Sequence, residues 1–196
     1  TVTAGDTYKF DKQIKLTATT NAGYTFLGWY DGETLVCETE EFTFKAEKDV
    51  TYTATWSANT DTKYTVNYYL QNLDDDGYAL HETVELKGET DTPTAEVDIK
   101  EYTHFTYNAS KSVVSGNING DGGQVLSVYY TRDSYKIVAN NNNAKAGTST
   151  QVNGTYKYDK KFTLTATTNA GYTWLGWYDG ETLACESEEF TFKAEK

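Results

Sequence analysis

Catalysis and metal binding need particular side chains at particular spacings, and this 196-residue chain offers few of them. His81 and His104 are its only histidines, and both lie in its middle third. No Ser–His–Asp or Cys–His spacing can be built for the flanking thirds, which contain no histidine, and two distant imidazoles do not specify a zinc site. Both are expected at the surface. Cys37 and Cys185 are too few for a disulfide framework and read as small strand residues among apolar neighbours. Asn117-Ile118-Asn119-Gly120-Asp121-Gly122 places oxygen-bearing residues alternately with Gly at the sixth position, as the first half of a calcium loop does. The closing acid would fall at Val128 and the apolar eighth position is Gln124, so the segment reads as a turn. Asp74-Asp75-Asp76-Gly77 likewise reads as a solvated turn. We therefore expect no catalytic residue, no metal ligand and no cofactor.

What remains is aromatic. Trp29-Tyr30 and Trp177-Tyr178 each precede an Asp-Gly turn. A ring exposed beside carboxylates can stack on a sugar, whereas a buried one anchors a small core. Trp29, Trp56 and Trp177 are expected to be such anchors. Position 26 is different: Phe26 in one place is Trp174 in another, a size change best tolerated near the surface. Phe26, Trp174, Tyr30 and Tyr178 are therefore the candidate ligand-binding residues.

These pairs reflect a duplication. Residues 8–48 and 156–196 align without a gap at an offset of 148, identical at 34 of 41 positions. Between them, roughly residues 63–133 form an unrelated module. The order is repeat, spacer module, repeat, with boundaries expected at 1–56, 63–133 and 134–196. Copy 1 runs on into Val50, Tyr52, Ala54 and Trp56, which alternate as a strand does; copy 2 stops before that point. Conversely, a strand-like run at 135–140 precedes copy 2 and has no counterpart ahead of copy 1. Each copy is thus expected to lack one terminal strand and to expose a sheet edge open to strand addition.

Composition agrees with a β-rich class. The chain has 33 Thr and 17 Tyr, no Met and a single Pro. In the repeats, Tyr8, Phe10, Ile14, Leu16 and Ala18 share one parity, broken at Lys12, and Phe42, Phe44 and Ala46 alternate likewise. An outward Lys12, and its equivalent Lys160, is preferred to a buried lysine that might crosslink. Leu27-Gly28 is expected to form a bulge and Asp31-Gly32 a hairpin turn. In the spacer, strands are expected at 64–70, 81–87, 104–108 and 124–132. Thr92-Pro93 followed by Ala95, Ile99 and Tyr102 predicts its one short helix. The fold class is mainly β, in tandem small antiparallel sheets, with an α+β, β-grasp-like module in the middle.

Gly23-Tyr24-Thr25-Phe26-Leu27-Gly28-Trp29-Tyr30-Asp31-Gly32, followed by Val50-Thr51-Tyr52-Thr53-Ala54-Thr55-Trp56, resembles the internalin B-repeat family, the Listeria–Bacteroides repeat in its divergent form. Copy 2 keeps the first element as Gly171 to Gly180. The spacer, with Tyr64-Thr65-Val66-Asn67-Tyr68-Tyr69 and Val128-Tyr129-Tyr130-Thr131, is similar to mucin-binding-protein-like β-grasp repeats. These resemblances imply a long, wall-attached surface protein of a Gram-positive bacterium, and no catalytic residues.

Charge narrows the partners. Seventeen basic residues face 29 acidic ones, for a net charge of −12, and only one base is an arginine, Arg132. Such a chain repels polyanions, which excludes nucleic acid and an anionic membrane surface. No apolar run approaches membrane-spanning length. Residues 57–133 carry −8, residues 1–56 carry −4 and residues 134–196 balance, so the acidity belongs mainly to the spacer and favours solubility. The expected function is a non-enzymatic, extracellular stalk or adhesin repeat whose partners are its neighbouring repeats. The alternative is a module that binds a host glycan or protein through exposed aromatics.

Overall fold

The structure is a computed structural model that describes residues 5–195. The first four residues of the 1–56 module and the last residue of the 134–196 module lie outside the described residues.

Copy 1 contains β1 (Gln13–Thr17), β2 (Tyr24–Asp31), β3 (Thr34–Cys37), β4 (Glu41–Lys45) and β5 (Tyr52–Ala58). The middle module contains β6 (Thr62–Gln71), β7 (Tyr78–Gly88), β8 (Phe105–Tyr107) and β9 (Val125–Arg132). Copy 2 contains β10 (Ser134–Ala139), β11 (Gly147–Ser149), β12 (Val152–Lys157), β13 (Lys161–Thr168), β14 (Trp177–Asp179), β15 (Thr182–Cys185) and β16 (Glu189–Lys193). The β-branched and aromatic residues of these runs fit a pleated, half-buried surface.

Two hairpin-like pairings recur in identical register. Ile14 faces Phe44 and Leu16 faces Phe42 in β1–β4, as Phe162 faces Phe192 and Leu164 faces Phe190 in β13–β16. The second pairing carries the expected bulge. β2 pairs with β3 on one side and β5 on the other, and its register slips between Phe26 and Gly28. Gly28 adopts φ 129, and a Cβ there would lie 2.4 Å from Leu35 Cδ1 and 2.7 Å from Cys37 O. Only glycine meets both conditions. The loop Gly32-Glu33 closes the β2–β3 hairpin, with Gly32 at φ 60 as a mirror-type turn requires.

The copies differ where a partner strand differs. β2 runs for eight residues beside β5, whereas its equivalent β14 keeps three and, among the described residues, pairs with β15 alone. In the other direction, β12 is paired with β10, while Tyr8 and Phe10, the counterparts of Tyr156 and Tyr158, lie in no strand. Expected parity therefore fails at Tyr8 and Phe10, where a turn at Phe10-Asp11 with Asp11 at φ 66 precedes β1.

The middle strands form one sheet of order β7-β6-β9-β8. The expected helix is absent, and the described residues contain no helix at all. The reason is non-local hydrogen bonding. Pro93 bridges Asn117, the Thr94 N–H donates to Gly116 O, and the Ile118 N–H donates to Thr92 O. Backbone groups bonded to 116–118 cannot also close helical turns. Ala95 and Ile99, the intended apolar stripe, are exposed, and Val97 is buried instead.

The chain forms two compact units that do not follow the repeat boundaries. The first takes the chain up to Asn67 with Glu82–Asp98 and Ser112–Ser127; its buried residues include Ala18, Trp29, Tyr64, Val66, Ile118 and Leu126. The second takes Tyr68–His81, Ile99–Lys111 and the chain from Val128 onward; it buries Tyr68, Val128, Tyr130, Leu164, Ala166 and Trp177. Each unit therefore holds one repeat copy together with part of the middle module.

The bulge makes a graded prediction. Gly28→Ala is expected to cost about 3 kcal/mol, since it combines backbone strain with a clash against fixed backbone. Gly32→Ala, where a Cβ meets nothing within 4 Å, is expected to cost only about 1 kcal/mol of left-handed strain. Urea unfolding of the two variants measures the difference; equal costs would show that the bulge is not a tight fit.

Candidate functional site

Trp29 and Trp177 are each 8% exposed, and each indole N–H donates to a carbonyl, Glu40 O and Glu188 O, at 3.3 Å. Trp56 is half-buried; its N–H donates to Thr20 Oγ1 at 3.0 Å and its ring meets Phe26 edge-on at 5.4 Å. Phe26 also contacts Trp29 at 6.3 Å, so its ring belongs to the copy 1 core. Trp174 packs against the cluster of Leu164, Ala166 and Trp177 in copy 2 and donates its N–H to Glu186 O at 2.9 Å. Tyr30 is half-buried and Tyr178 is 53% exposed. The four candidate ligand-binding residues thus divide into an inward-packed pair, Phe26 and Trp174, and a more accessible pair, Tyr30 and Tyr178.

Cys37 and Cys185 are free thiols opposite Trp29 and Trp177 at the bulge. The 117–122 segment is a turn in which the Gly122 N–H donates to Asn119 O and the Gly123 N–H to Asp121 Oδ1. Among the described residues, no three His, Cys, Asp or Glu side chains are grouped to hold a metal ion.

The residues that do converge lie where each copy meets the middle module, and sequence reasoning did not single most of them out. In the first unit the turn of copy 1 presses backbone to backbone. A Cβ on Gly23 would lie 2.3 Å from Gly120 Cα, and one on Gly120 would lie 2.1 Å from Ala22 O. The Asn59 N–H donates to Gly23 O and the Thr90 N–H to Asn59 O, both at 2.8–2.9 Å. The Tyr24 hydroxyl donates to the Asp91 carboxylate. That hydrogen bond, helped by desolvation and the nearby negative charge, raises the pKa of the Tyr24 phenol. Thr62 and Thr90 share a buried hydroxyl hydrogen bond of 2.8 Å beneath this contact.

In the second unit copy 2 grips with its opposite end. His104, at φ 65, stacks on Tyr158 with ring centroids 3.9 Å apart, and its Nδ1 lies 2.9 Å from the Tyr135 hydroxyl. Arg132 lies over Phe105 at 4.7 Å, and its Nε and Nη1 donate to Gln71 O and Tyr158 O. Lys157 Nζ donates to Asn72 O, Asp75 O and Asp76 Oδ1, and Lys160 pairs with Asp74 at 3.6 Å. The acidic turn is thus a receptor for two lysines. Hydrogen bonds from the Asn72 amide and the Gly77 N–H, with the Lys157 charge nearby, hold the Asp75 carboxyl below its ordinary value.

The duplication supplies an internal control. Gly171, the counterpart of Gly23, has no atom within 4 Å of its Cβ position, and Tyr172, the counterpart of Tyr24, is 46% exposed. Phe10, the counterpart of Tyr158, is 78% exposed, and Lys9, the counterpart of Lys157, is exposed. One sequence therefore presents two gripping ends, and each copy engages a different one.

Small bulged antiparallel sheets, duplicated and gripping an intervening module, define a tandem β-repeat protein. The Divergent InlB B-repeat domain matches residues 1–60 and 137–196. The chain belongs to this family, a repeat-domain family typical of bacterial surface proteins. The matched residues leave the middle module outside. No solved structure matches the chain.

Paired substitutions test the two grips. Gly23→Ala and Gly171→Ala impose the same left-handed strain, at φ 82 and 86, so the first is expected to be worse by about 2 kcal/mol of backbone overlap. Lys157→Met is expected to cost about 2 kcal/mol, through three lost hydrogen bonds from a charged donor, and Lys9→Met nearly nothing. Thermal or urea unfolding checks both; equal effects within either pair would contradict the assignment. Because the folded Asp75 pKa is depressed, its contribution is full above the ordinary carboxylate range and is lost as pH falls through the lowered value. Asp75→Asn is accordingly expected to flatten the stability profile on that acid side.

Proposed function

We propose that the chain is a non-enzymatic tandem-repeat segment of a bacterial cell-surface protein, extracellular and wall-attached, serving as a stalk or spacer. The observation that carries this reading is the pair of gripping ends on one repeat sequence. Copy 1 holds the middle module through Gly23, Tyr24 and Asn59; copy 2 holds it through Tyr158, Lys157 and Lys160. A module with a grip at each end suits serial linkage, in which each small sheet draws stability from its neighbours. The middle module is read as mucin-binding-protein-like on its strand-forming ends, Tyr64 to Tyr69 and Val128 to Thr131. Its excess of acids keeps neighbouring stalks apart.

The second reading is a glycan- or host-protein-binding module. It draws support from Tyr178 at 53% and Tyr172 at 46% exposure, aromatic surface that the core does not use.

Solution scattering from proteins with one, two and three 148-residue periods tests the stalk. The maximum dimension is expected to grow by a constant increment per period. Growth of the radius of gyration as roughly the 0.38 power of length, as for a compact globule, would contradict it. A glycan array separates the second reading: the stalk predicts no binding, and saturable binding abolished by Tyr178→Ala or Trp174→Ala would overturn it.

A further inference from the structure

We propose that Tyr69 and Tyr129 form an oxidative modification site, at which a peroxide-class oxidant joins the two rings as dityrosine and locks β6 to β9. The two strands are neighbours in the middle sheet. The Tyr69 and Tyr129 rings stack with centroids 4.8 Å apart and planes 14° from parallel. Two rings stacked this way can bring their ring carbons together by a short slide. Other tyrosine contacts suit coupling less. Tyr78 meets Tyr129, and Tyr102 meets Tyr130, edge to face at 86° and 90°. There the edge of one ring points at the middle of the other, and Tyr130 is only 1% exposed. Tyr69 and Tyr129 are half-buried, so a small oxidant reaches them while packing holds them in place. The Asn108 amide steadies the arrangement: it donates to the Tyr78 hydroxyl at 3.4 Å and to Thr131 Oγ1 at 3.0 Å.

Composition directs oxidation to such rings. The chain has no Met and two Cys, the side chains that oxidants otherwise attack, but 17 Tyr. Of its indoles, Trp29 and Trp177 are each 8% exposed. Lys111 Nζ lies 5.0 Å from the centre of the Tyr129 ring and 5.1 Å from that of Tyr78. An ammonium there opposes positive charge on the ring, so the phenol gives up its proton together with its electron. Each of the two phenols thereby becomes a neutral phenoxyl radical, whose spin extends to the ring carbons beside the oxygen. The radicals pair in a new carbon–carbon bond, and the hydrogens displaced from those carbons move to the oxygens and restore both phenols. The two electrons cleave the O–O bond of the oxidant, which for peroxodisulfate yields two sulfates, and the two protons go to water. The product ties the chain at Tyr69 to the chain at Tyr129, and a covalent tie of that span restrains the unfolded ensemble. This inference stands apart from the stalk reading and from the glycan alternative.

The test oxidises the 196-residue chain in dilute solution with peroxodisulfate and light-activated tris(bipyridyl)ruthenium, and reduces any disulfide before measurement. The monomer is expected to gain dityrosine fluorescence, and peptide mapping to join the segment holding Tyr69 to the segment holding Tyr129. Tyr69→Phe and Tyr129→Phe each keep a stacked ring and are expected to abolish that crosslinked peptide, whereas Tyr178→Phe leaves it intact. The crosslinked monomer is expected to unfold at a higher urea concentration than the untreated chain. A monomer without dityrosine, or with dityrosine confined to other tyrosine pairs, would overturn the proposal. An unchanged urea midpoint for the crosslinked monomer would equally overturn the lock.

Discussion

The pairing of β2 with β5 is the interaction on which the repeat depends. A bulged strand bends and loses a ladder position, so it needs partners on both sides to hold its large side chains inward. In copy 1, Trp29 lies between Cys37 on β3 and Ala54 on β5, two small residues that leave room for the indole. Phe26 and Trp56 then close over it from the other side of the bulge. In copy 2 the buried Trp177 packs against Trp174. The indole of Trp174 lies 5.4 Å from Trp177 and anchors to Glu186 O, a hydrogen bond that the phenyl ring of Phe26 cannot make.

The same economy governs charge and small residues. Arg132, the lone arginine, bridges Gln71 and Tyr158 across the joint between the middle module and copy 2. Its planar head donates to two carbonyls while lying over an aromatic ring, which an ammonium group does less well. The acidic turn Asp74-Asp75-Asp76 carries part of the negative excess of the middle module, and two lysines of copy 2 meet it there. Gly23 and Gly120, at the other joint, bring two backbones closer than any Cβ allows.

How much of this was legible in the sequence depended on whether the cause was local. Alternation at Ile14, Leu16, Phe42 and Phe44 gave the strands and their faces, because sheet side chains have period two. The Leu27-Gly28 irregularity marked the bulge, and Asp31-Gly32 the turn, since both rest on backbone conformations that favour glycine. The helix expected after Pro93 failed because the backbone of Thr92 and Thr94 bonds to residues 116–118, more than twenty positions away. The joints were illegible for a sharper reason. Lys9 and Lys157, like Gly23 and Gly171, sit in the same local sequence, and only the neighbouring module distinguishes them. His104, expected at the surface, is half-buried against Tyr158 for the same reason.

The account holds that neighbours, rather than local sequence, decide what each stretch of the repeat does. Native-state amide hydrogen exchange compares identical residues in the two copies within one molecule. Strong protection of Thr25, whose N–H falls on the β5 side of the ladder opposite Ser57, beside rapid exchange of Thr173 is the result predicted. Equal protection at the two sites would contradict it.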